Sequence, residues 1–229
     1  MRLFLFDVDQ TLISTGGAGI RALNRAFQKT FAMDNAMDGV LPHGKTDPAI
    51  IREIFAARSA NDGFSTDLGP VLEAYLGFLR EEVETTALYR ILPGIVAILE
   101  LLKKQPNALI GLATGNVETG ARIKLERGNL NQYFAFGGFG SDSENRTELV
   151  RQGAARAASS SGRSVDPAET YVIGDTPRDI EAGREAGFLT VGVATGTFTK
   201  SQLEAAGATF AITDFETDRD YFLASTRIE

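Results

Sequence analysis

Cysteine is absent from the 229-residue chain. Its absence excludes disulfide bonds, thiolate metal sites and a cysteine nucleophile. It also fits a reducing compartment, although exported proteins without cysteine exist.

Long apolar runs and an excess of positive charge are lacking as well. No stretch approaches the roughly 20 apolar residues of a membrane span, and the apolar run before Asp7 is too short for a secretory signal. The 23 Lys and Arg residues against 30 Asp and Glu residues give a net charge of −7, which suits the phosphate backbone of a nucleic acid poorly. We expect a cytoplasmic protein, a monomer or homodimer, with a small-molecule substrate and no membrane or nucleic-acid partner.

The apolar residues that are present form short runs separated by helical segments. Runs suited to buried parallel strands occur at 2–6, 108–113, 170–173, 189–193 and, less clearly, 209–212. The segments between them carry apolar residues at helical spacing. Strands that alternate with helices predict an α/β protein with a doubly wound, Rossmann-like parallel sheet.

Residues 14–89 interrupt this alternation. Three apolar stripes at helical spacing predict three helices and no strand there, with Asp47 as N-cap and Pro48 in the first turn of the second helix. We therefore expect a core domain formed by 1–13 and 90–229. A helical cap domain over 14–89 would lie above the strand ends, where open α/β sheets bind ligands.

Two pairs of aspartates follow predicted strands. Asp7 and Asp9 come directly after the first strand, and Asp175 and Asp179 follow the strand at 170–173. Either pair alone fits a polar loop or a helix start. Together they indicate a shared site, because the carboxyl ends of neighbouring parallel strands meet at one edge of the sheet. Carboxylates held this close need a cation, and Mg²⁺ prefers oxygen ligands.

A third polar segment, Thr114-Gly115-Asn116, follows the strand at 108–113. A hydroxyl, an accessible glycine backbone and an amide at a helix start are suited to phosphate oxygens. The alternative is a plain helix start with Asn116 as N-cap.

These three segments in this order, with a helical insertion after the first strand, resemble the haloacid dehalogenase-like hydrolase superfamily. The likeness covers nearly the whole chain and is greatest to the phosphoglycolate phosphatase-like branch. It implies a Mg²⁺-dependent phosphomonoester hydrolase that forms an aspartyl-phosphate. The implied substrate is a small phosphorylated metabolite such as phosphoglycolate or a sugar phosphate.

The resemblance also implies a role for each matching residue. Asp7 would be the nucleophile, and Asp9 would be the general acid and base. Thr114 would hold the phosphoryl group, with Gly115 and Asn116 as substrate-binding neighbours.

The same resemblance implies the metal ligands. Asp175 would bind Mg²⁺ together with the Asp7 carboxylate and the backbone carbonyl of Asp9. Asp179 would belong to the same metal site, either as a direct ligand or in support of it. The metal would screen the charge between an anionic nucleophile and an anionic phosphate.

Two positions depart from the family pattern. Gln10 stands where the family usually has glycine, so the turn after Asp7 could differ. The usual lysine of the third motif is replaced by Arg146, which can bind phosphate and the nucleophile bidentately. Lys124 competes for this role, but we expect it to be a solvated helix lysine.

The segment before the second helix of the insertion carries His43 and Lys45, which the resemblance places against the substrate. Lys45 suits an anionic substrate, whereas a loop histidine is more often merely exposed. Gly16 and Gly17 would suit a hinge between the two domains.

Other functions fit parts of this pattern. A phosphomutase of the β-phosphoglucomutase type would use Asp7 and Asp9 in the same way and return the phosphoryl group to its substrate. A dehalogenase needs no metal and so gives no reason for the aspartates to occur together, and a phosphonate-cleaving enzyme would need Lys45 as a Schiff base. A non-catalytic module that binds phosphorylated ligands would have little reason to keep Asp7, Asp9, Thr114 and Asp175 all intact.

Overall fold

The computed structural model describes residues 1–58 and 67–228 of the chain. The strands in the described residues are β1 (Arg2–Phe6), β2 (Ile13–Ser14), β3 (Arg90–Ile91), β4 (Ala108–Thr114), β5 (Gly137–Phe139), β6 (Thr170–Gly174), β7 (Leu189–Val193) and β8 (Phe210–Ile212). The α-helices there are α1 (Ala18–Phe31), α2 (Asp47–Arg58), α3 (Gly69–Thr85), α4 (Ile95–Lys104), α5 (Glu118–Glu126), α6 (Arg146–Ser161), α7 (Pro177–Glu185), α8 (Lys200–Ala205) and α9 (Arg219–Thr226).

Six of these strands form one parallel sheet in the order β5-β4-β1-β6-β7-β8. The first strand lies in the middle, so β1 is buried on both faces. Phe4 and Phe6 join the apolar cluster with α4, α5 and α9, whereas Leu3 and Leu5 join the cluster with α6 and α7. Successive side chains of a strand alternate between faces, which is why a continuous apolar run is needed here. The predicted doubly wound α/β fold is confirmed.

Helices α1, α2 and α3 form a helical bundle with an apolar core of its own. Phe27 and Phe55 pack edge to face with centroids 5.3 Å apart, and Tyr75 and Leu79 of α3 are buried in the same cluster. Ile123 of α5 also belongs to this cluster. The bundle therefore packs against α5, directly beside the end of β4.

A short antiparallel ribbon marks both passages between the sheet and the helical bundle. Ile13 of β2 pairs with Ile91 of β3, and Ser14 pairs with Arg90. These two strands were not predicted, because a run of two residues is too short for a periodic pattern. The domain division at 14–89 stays a prediction, and residues 59–66 within it lie outside the described part of the chain.

Two further expectations about local structure need correction. Strand β5 was not predicted, because Gly137 and Gly138 leave it almost without β-forming side chains. The N-cap of α2 was predicted to be Asp47, but the Thr46 hydroxyl accepts the bond from the Ala49 amide at 3.3 Å. Asp47 instead turns its side chain toward α5.

None of the helices in the described residues is both long enough and apolar enough to cross a membrane.

Glycine allows β5 to lie very close to α6. A Cβ atom at Gly138 would come within 1.6 Å of the Leu149 carbonyl oxygen. Gly138→Ala should therefore lower the free energy of unfolding by about 1–3 kcal/mol or more, since neither backbone can move freely. Urea unfolding followed by circular dichroism measures the change.

Gly77→Ala is the matched control. Gly77 is exposed within α3, and no atom lies within 4 Å of a Cβ placed there. The free energy of unfolding of this variant should rise by up to about 1 kcal/mol, because alanine loses less conformational entropy than glycine when the helix forms. Equal unfolding midpoints for Gly138→Ala and the wild type would contradict the close packing.

Candidate active site

The predicted site residues meet at the carboxyl edge of the sheet. Asp7 follows β1, Thr114 ends β4, and Asp175 follows β6. These three strands are neighbours in the order β4-β1-β6. The chain therefore brings residues more than 160 positions apart into one crevice through strand pairing alone.

Three buried carboxylates form the centre of this crevice. Asp7, Asp175 and Asp179 are 7%, 3% and 1% exposed, and each offers an oxygen within 4.8 Å of the others. Like charges at this distance repel strongly in a poorly hydrated environment. The cluster therefore requires cations nearby.

Arg146, at the start of α6, supplies one of these cations. Its Nη2 donates to Asp7 Oδ1 at 3.1 Å, and its Nε donates to Asp179 Oδ1 at 2.9 Å. Its Nη1 also donates to the Gly44 carbonyl at 3.2 Å. Arg146 thus links two acidic residues to the loop before α2.

Burial raises the pKa of Asp7 to about 7, and the charges of Asp179 and Asp9 add to this effect, whereas Arg146 opposes it. Burial also raises the pKa of Asp175 to about 9, with Asp179 and Asp7 as further causes. One guanidinium therefore does not neutralise the cluster.

The donor set fits a divalent metal ion such as Mg²⁺. All of its ligand-capable atoms are oxygens, which a hard cation prefers. The ionised carboxylates and Arg146 together carry a net negative charge. Asp179 already uses both oxygens, because Oδ1 accepts from Arg146 while Oδ2 accepts from the amide and hydroxyl of Thr176 at 3.0 and 2.7 Å. Asp7 and Asp175 are consequently better placed than Asp179 to bind a metal directly.

Asp9 takes part in a different group of contacts. Its Oδ2 accepts bonds from Lys124 Nζ at 2.6 Å and from Asn116 Nδ2 at 2.8 Å. Lys124 also donates to Asn116 Oδ1 at 2.6 Å, and Asn116 donates to the Thr114 hydroxyl at 2.8 Å. A hydrogen bond from Thr114 to the Asp7 carboxylate extends the network to the acidic cluster.

The expectation that Lys124 is solvated is wrong. Its side chain is only 5% exposed. Burial alone would lower the pKa of Lys124, but the carboxylates of Asp9 and Asp47 outweigh burial and raise it. The sequence carried a signal for this position: Lys124 follows Ala121 by three residues and so lies on the buried face of α5.

The loop before α2 is attached to the end of β4. The Asp47 amide donates to the Gly115 carbonyl at 2.8 Å, and the Asp47 carboxylate accepts from the Val117 amide at 2.9 Å. Val117, rather than Asn116, therefore immediately precedes α5. A Cβ at Gly115 would come within 2.2 Å of the Lys45 carbonyl oxygen, so only glycine permits this approach.

A cavity of about 180 Å³ lies between the helical bundle and the sheet edge. Most of the predicted site residues line it, namely Asp7, Asp9, His43, Lys45, Gly115, Asn116, Arg146 and Asp175. Thr114 and Asp179 lie behind this lining, where they contact its members. Asp47, Tyr75 and Lys124 also line the cavity. Of these, only Lys124 was considered from the sequence for a role at the site, as the competitor of Arg146.

Gln10 adopts the left-handed conformation, with φ of 58°. This conformation costs about 1–2 kcal/mol for a residue with a side chain, which explains why glycine suits the position. Compensating contacts hold Gln10: its Nε2 donates to Ser14 Oγ at 3.1 Å, and its carbonyl accepts from the Thr195 hydroxyl at 2.5 Å. Gln10 thus occupies the same turn and adds a polar side chain to the cavity lining.

This arrangement defines an α/β enzyme with buried carboxylates at the carboxyl edge of its sheet. Residues 4–193 match the haloacid dehalogenase-like hydrolase family. The chain therefore belongs to that family, and the predicted family is confirmed.

Curated relatives agree with this assignment. The chain is 30% identical over 211 residues to "Probable phosphatase IndB" of Dickeya dadantii, covering 89% of this chain and 86% of the relative. It is 27% identical over 196 residues to a phosphoglycolate phosphatase of Agrobacterium fabrum, covering 85% and 81%. The prediction of a hydrolase of the phosphatase type is confirmed at the level of enzyme class.

A solved structure supports the fold. The crystal structure of CbbY from Rhodobacter sphaeroides in complex with phosphate superposes with a TM-score of 0.76. It is 18% identical and covers 95% of this chain and 96% of that chain. This likeness bears on architecture alone.

Asp175→Asn tests the charge balance of the acidic cluster. Near pH 8, folding without metal must either bury an ionised Asp175 or bind a proton that the unfolded chain lacks. Both lower stability as pH rises from about 4 toward the raised pKa of about 9. Asn avoids both, so the variant in EDTA should melt about 2–4 °C higher than wild type.

Added Mg²⁺ should raise the melting temperature of the wild type more than that of Asp175→Asn, because the variant lacks a ligand. Differential scanning fluorimetry with and without Mg²⁺ measures both effects. Asp34→Asn is the control, since Asp34 is exposed on the loop after α1. Equal Mg²⁺ responses in all three proteins would exclude Asp175 from the metal site.

Proposed function

We propose that this protein is a Mg²⁺-dependent phosphomonoester hydrolase with Asp7 as its nucleophile. The observation that carries the proposal is the position of Asp7, which lines the cavity while Arg146 binds its Oδ1 and Asp175 lies beside it. A carboxylate can attack a phosphoryl group only where cations offset the charge of both. Arg146 and a metal at Asp7 and Asp175 would provide that balance.

The first step forms a bond between a carboxylate oxygen of Asp7 and phosphorus. The bond between phosphorus and the alcohol oxygen breaks, and the alcohol receives a proton from Asp9. In the second step water attacks the phosphorus of the aspartyl-phosphate and gives a proton to Asp9. Inorganic phosphate leaves and the Asp7 carboxylate is restored.

Lys124 and Asn116 orient the Asp9 carboxylate for these proton transfers. Both donate to Oδ2 of Asp9, so we assign the proton exchange to Oδ1. Gly115 and Asn116 in the loop between β4 and α5, together with Thr114, would contact the phosphoryl oxygens. Asp179 would position Arg146 rather than bind the metal directly.

Mg²⁺ would be held by Asp7, Asp175 and the backbone carbonyl of Asp9. Bound there, it supplies electrostatic stabilisation of the charge on the transferring phosphoryl group. Names of the relatives favour a small phosphorylated substrate, since one of them is a phosphoglycolate phosphatase. The chain would accept a phosphorylated metabolite of that size.

Release of inorganic phosphate from a panel of phosphomonoesters tests this function. Wild type should release phosphate with Mg²⁺ and not with EDTA, and Asp7→Asn should release none, because an amide cannot act as the nucleophile. Asp38→Asn, on the exposed loop after α1, should match wild type. Circular dichroism confirms that each variant is folded.

The alternatives give different results in the same assay. A phosphomutase would convert a sugar phosphate into its isomer without stoichiometric phosphate release, which chromatography detects. A non-catalytic binding module would bind phosphorylated ligands without turnover. Phosphate release that persists in Asp7→Asn would contradict the proposed nucleophile.

Lys124→Met tests the role of the Asp9 contacts. Removing the ammonium group leaves the Asp9 carboxylate with Asn116 as its remaining donor and should reduce kcat by about tenfold to 100-fold, because misplaced proton transfer costs this much. Arg146→Ala should cause a larger loss, since Arg146 binds the nucleophile itself. Lys104→Met, at the exposed end of α4, is the control, and an unchanged kcat in Lys124→Met would contradict the role.

A further inference from the structure

The cavity wall away from the acidic cluster is mainly hydrocarbon. Leu23 of α1, Met37 of the following loop and Ile50 of α2 line it and are 3%, 5% and 4% exposed. Ile20 and Pro42 line the same wall. A substrate group that extends away from the phosphate would thus be transferred from water to an apolar surface. This transfer favours uncharged groups, because a charged group would lose its hydration there.

The cations of this cavity are each bonded to a carboxylate. Lys45 contacts Glu53 at 2.5 Å, and Lys124 contacts Asp9 at 2.6 Å. Arg146 is shared between Asp7 and Asp179. These pairs leave little positive charge for a second anionic group on the substrate.

The remaining basic residue among the described residues of the lining is His43. It is exposed on the loop before α2. Water surrounds a group in that position and screens its charge. His43 therefore offers a weak attraction to an anion that lies deeper in the cavity.

Two further polar residues of the lining, Tyr75 and Asp47, add no positive charge for an anion. Burial raises the pKa of Tyr75 well above its usual value, with Asp47 and Asp9 as further causes, so the phenol is neutral. Asp47 lies beside it with a buried carboxylate. The neutral phenol can donate a hydrogen bond to an oxygen acceptor of the substrate but supplies no charge, whereas the Asp47 carboxylate would repel a second anion.

We infer that the substrate is a phosphomonoester whose alcohol portion is uncharged and largely apolar, with Leu23, Met37 and Ile50 as the residues that select it. This inference rests on the proposed function and narrows it. Phosphoglycolate is thereby disfavoured, because its carboxylate would lie against hydrocarbon and paired cations. A sugar phosphate is uncharged beyond its phosphate, but its hydroxyl groups would find few partners on this wall.

The cavity volume indicates the size of the group that the cavity can enclose. Its volume is about 180 Å³, and a buried apolar cavity of about 150 Å³ admits a molecule such as benzene. The phosphoryl group and a short branched alkyl group or a small ring fill the available space.

Three esters of nearly equal shape provide the test. Phosphoglycolate, its carboxamide analogue and isobutyl phosphate carry a carboxylate, an amide and two methyl groups at the same distance from phosphorus. Comparing kcat/KM with Mg²⁺ separates charge from polarity at constant size. Isobutyl phosphate should exceed phosphoglycolate on the order of tenfold or more, with the carboxamide between them.

Glu53→Gln tests the role of cation pairing. The variant leaves Lys45 without its carboxylate partner, so kcat/KM for phosphoglycolate should rise several-fold relative to isobutyl phosphate. Glu84→Gln, on an exposed position of α3, removes the same charge without touching the cavity and should leave the ratio unchanged.

The possible outcomes separate this inference from the proposed function. Turnover of phosphoglycolate in preference to isobutyl phosphate by the wild type would overturn the inference while leaving the phosphatase intact. An unchanged ratio in Glu53→Gln would overturn the argument from paired cations. Failure to hydrolyse any phosphomonoester with Mg²⁺ would contradict the proposed function itself.

Discussion

The repulsion among Asp7, Asp175 and Asp179 is the constraint on which the rest of this structure depends. Three carboxylates that are less than 10% exposed cannot all remain ionised without cations. Arg146 provides one positive charge and contacts two of the three. Because one charge does not balance three, the donor set fits a divalent cation, and we propose that Mg²⁺ supplies the remaining positive charge. The family to which the chain belongs agrees with this requirement.

The helical bundle is attached to this cluster through backbone and side-chain contacts. Arg146 reaches the Gly44 carbonyl, and Asp47 caps the start of α5 through the Val117 amide. Lys124 then connects α5 to Asp9. The groups proposed to exchange protons and to hold phosphate are therefore positioned by the same segments that close the cavity, so that substrate recognition and acid–base chemistry share one set of contacts.

Patterns in the sequence were sufficient for five of the six strands of the parallel sheet and for the acidic cluster, since a buried parallel strand followed by aspartate can be recognised locally. They failed where a side chain acts across the fold. A lysine on a helix is usually solvated, and only the packing of α5 against the helical bundle shows that Lys124 contacts Asp9. Likewise, Asp47 precedes Pro48 as an N-cap would, but Thr46 performs the capping and Asp47 reaches Val117. Strand β5 could not be predicted because its glycines serve close packing rather than β propensity.

Charge pairing also explains why a site so rich in charge can prefer an uncharged leaving group. Each cation near the cavity serves a carboxylate of the chain, and the buried pairs hold because separating them would leave a charge without a partner. Lys45 is bound by Glu53 in the same way, although that pair is partly exposed. Beyond the phosphoryl group, the cavity offers hydrocarbon from Leu23, Met37 and Ile50 together with uncharged polar groups such as the phenol of Tyr75. Substrate specificity would follow from the lining residues that do not belong to the charged network. For this reason it could not be predicted from the motifs.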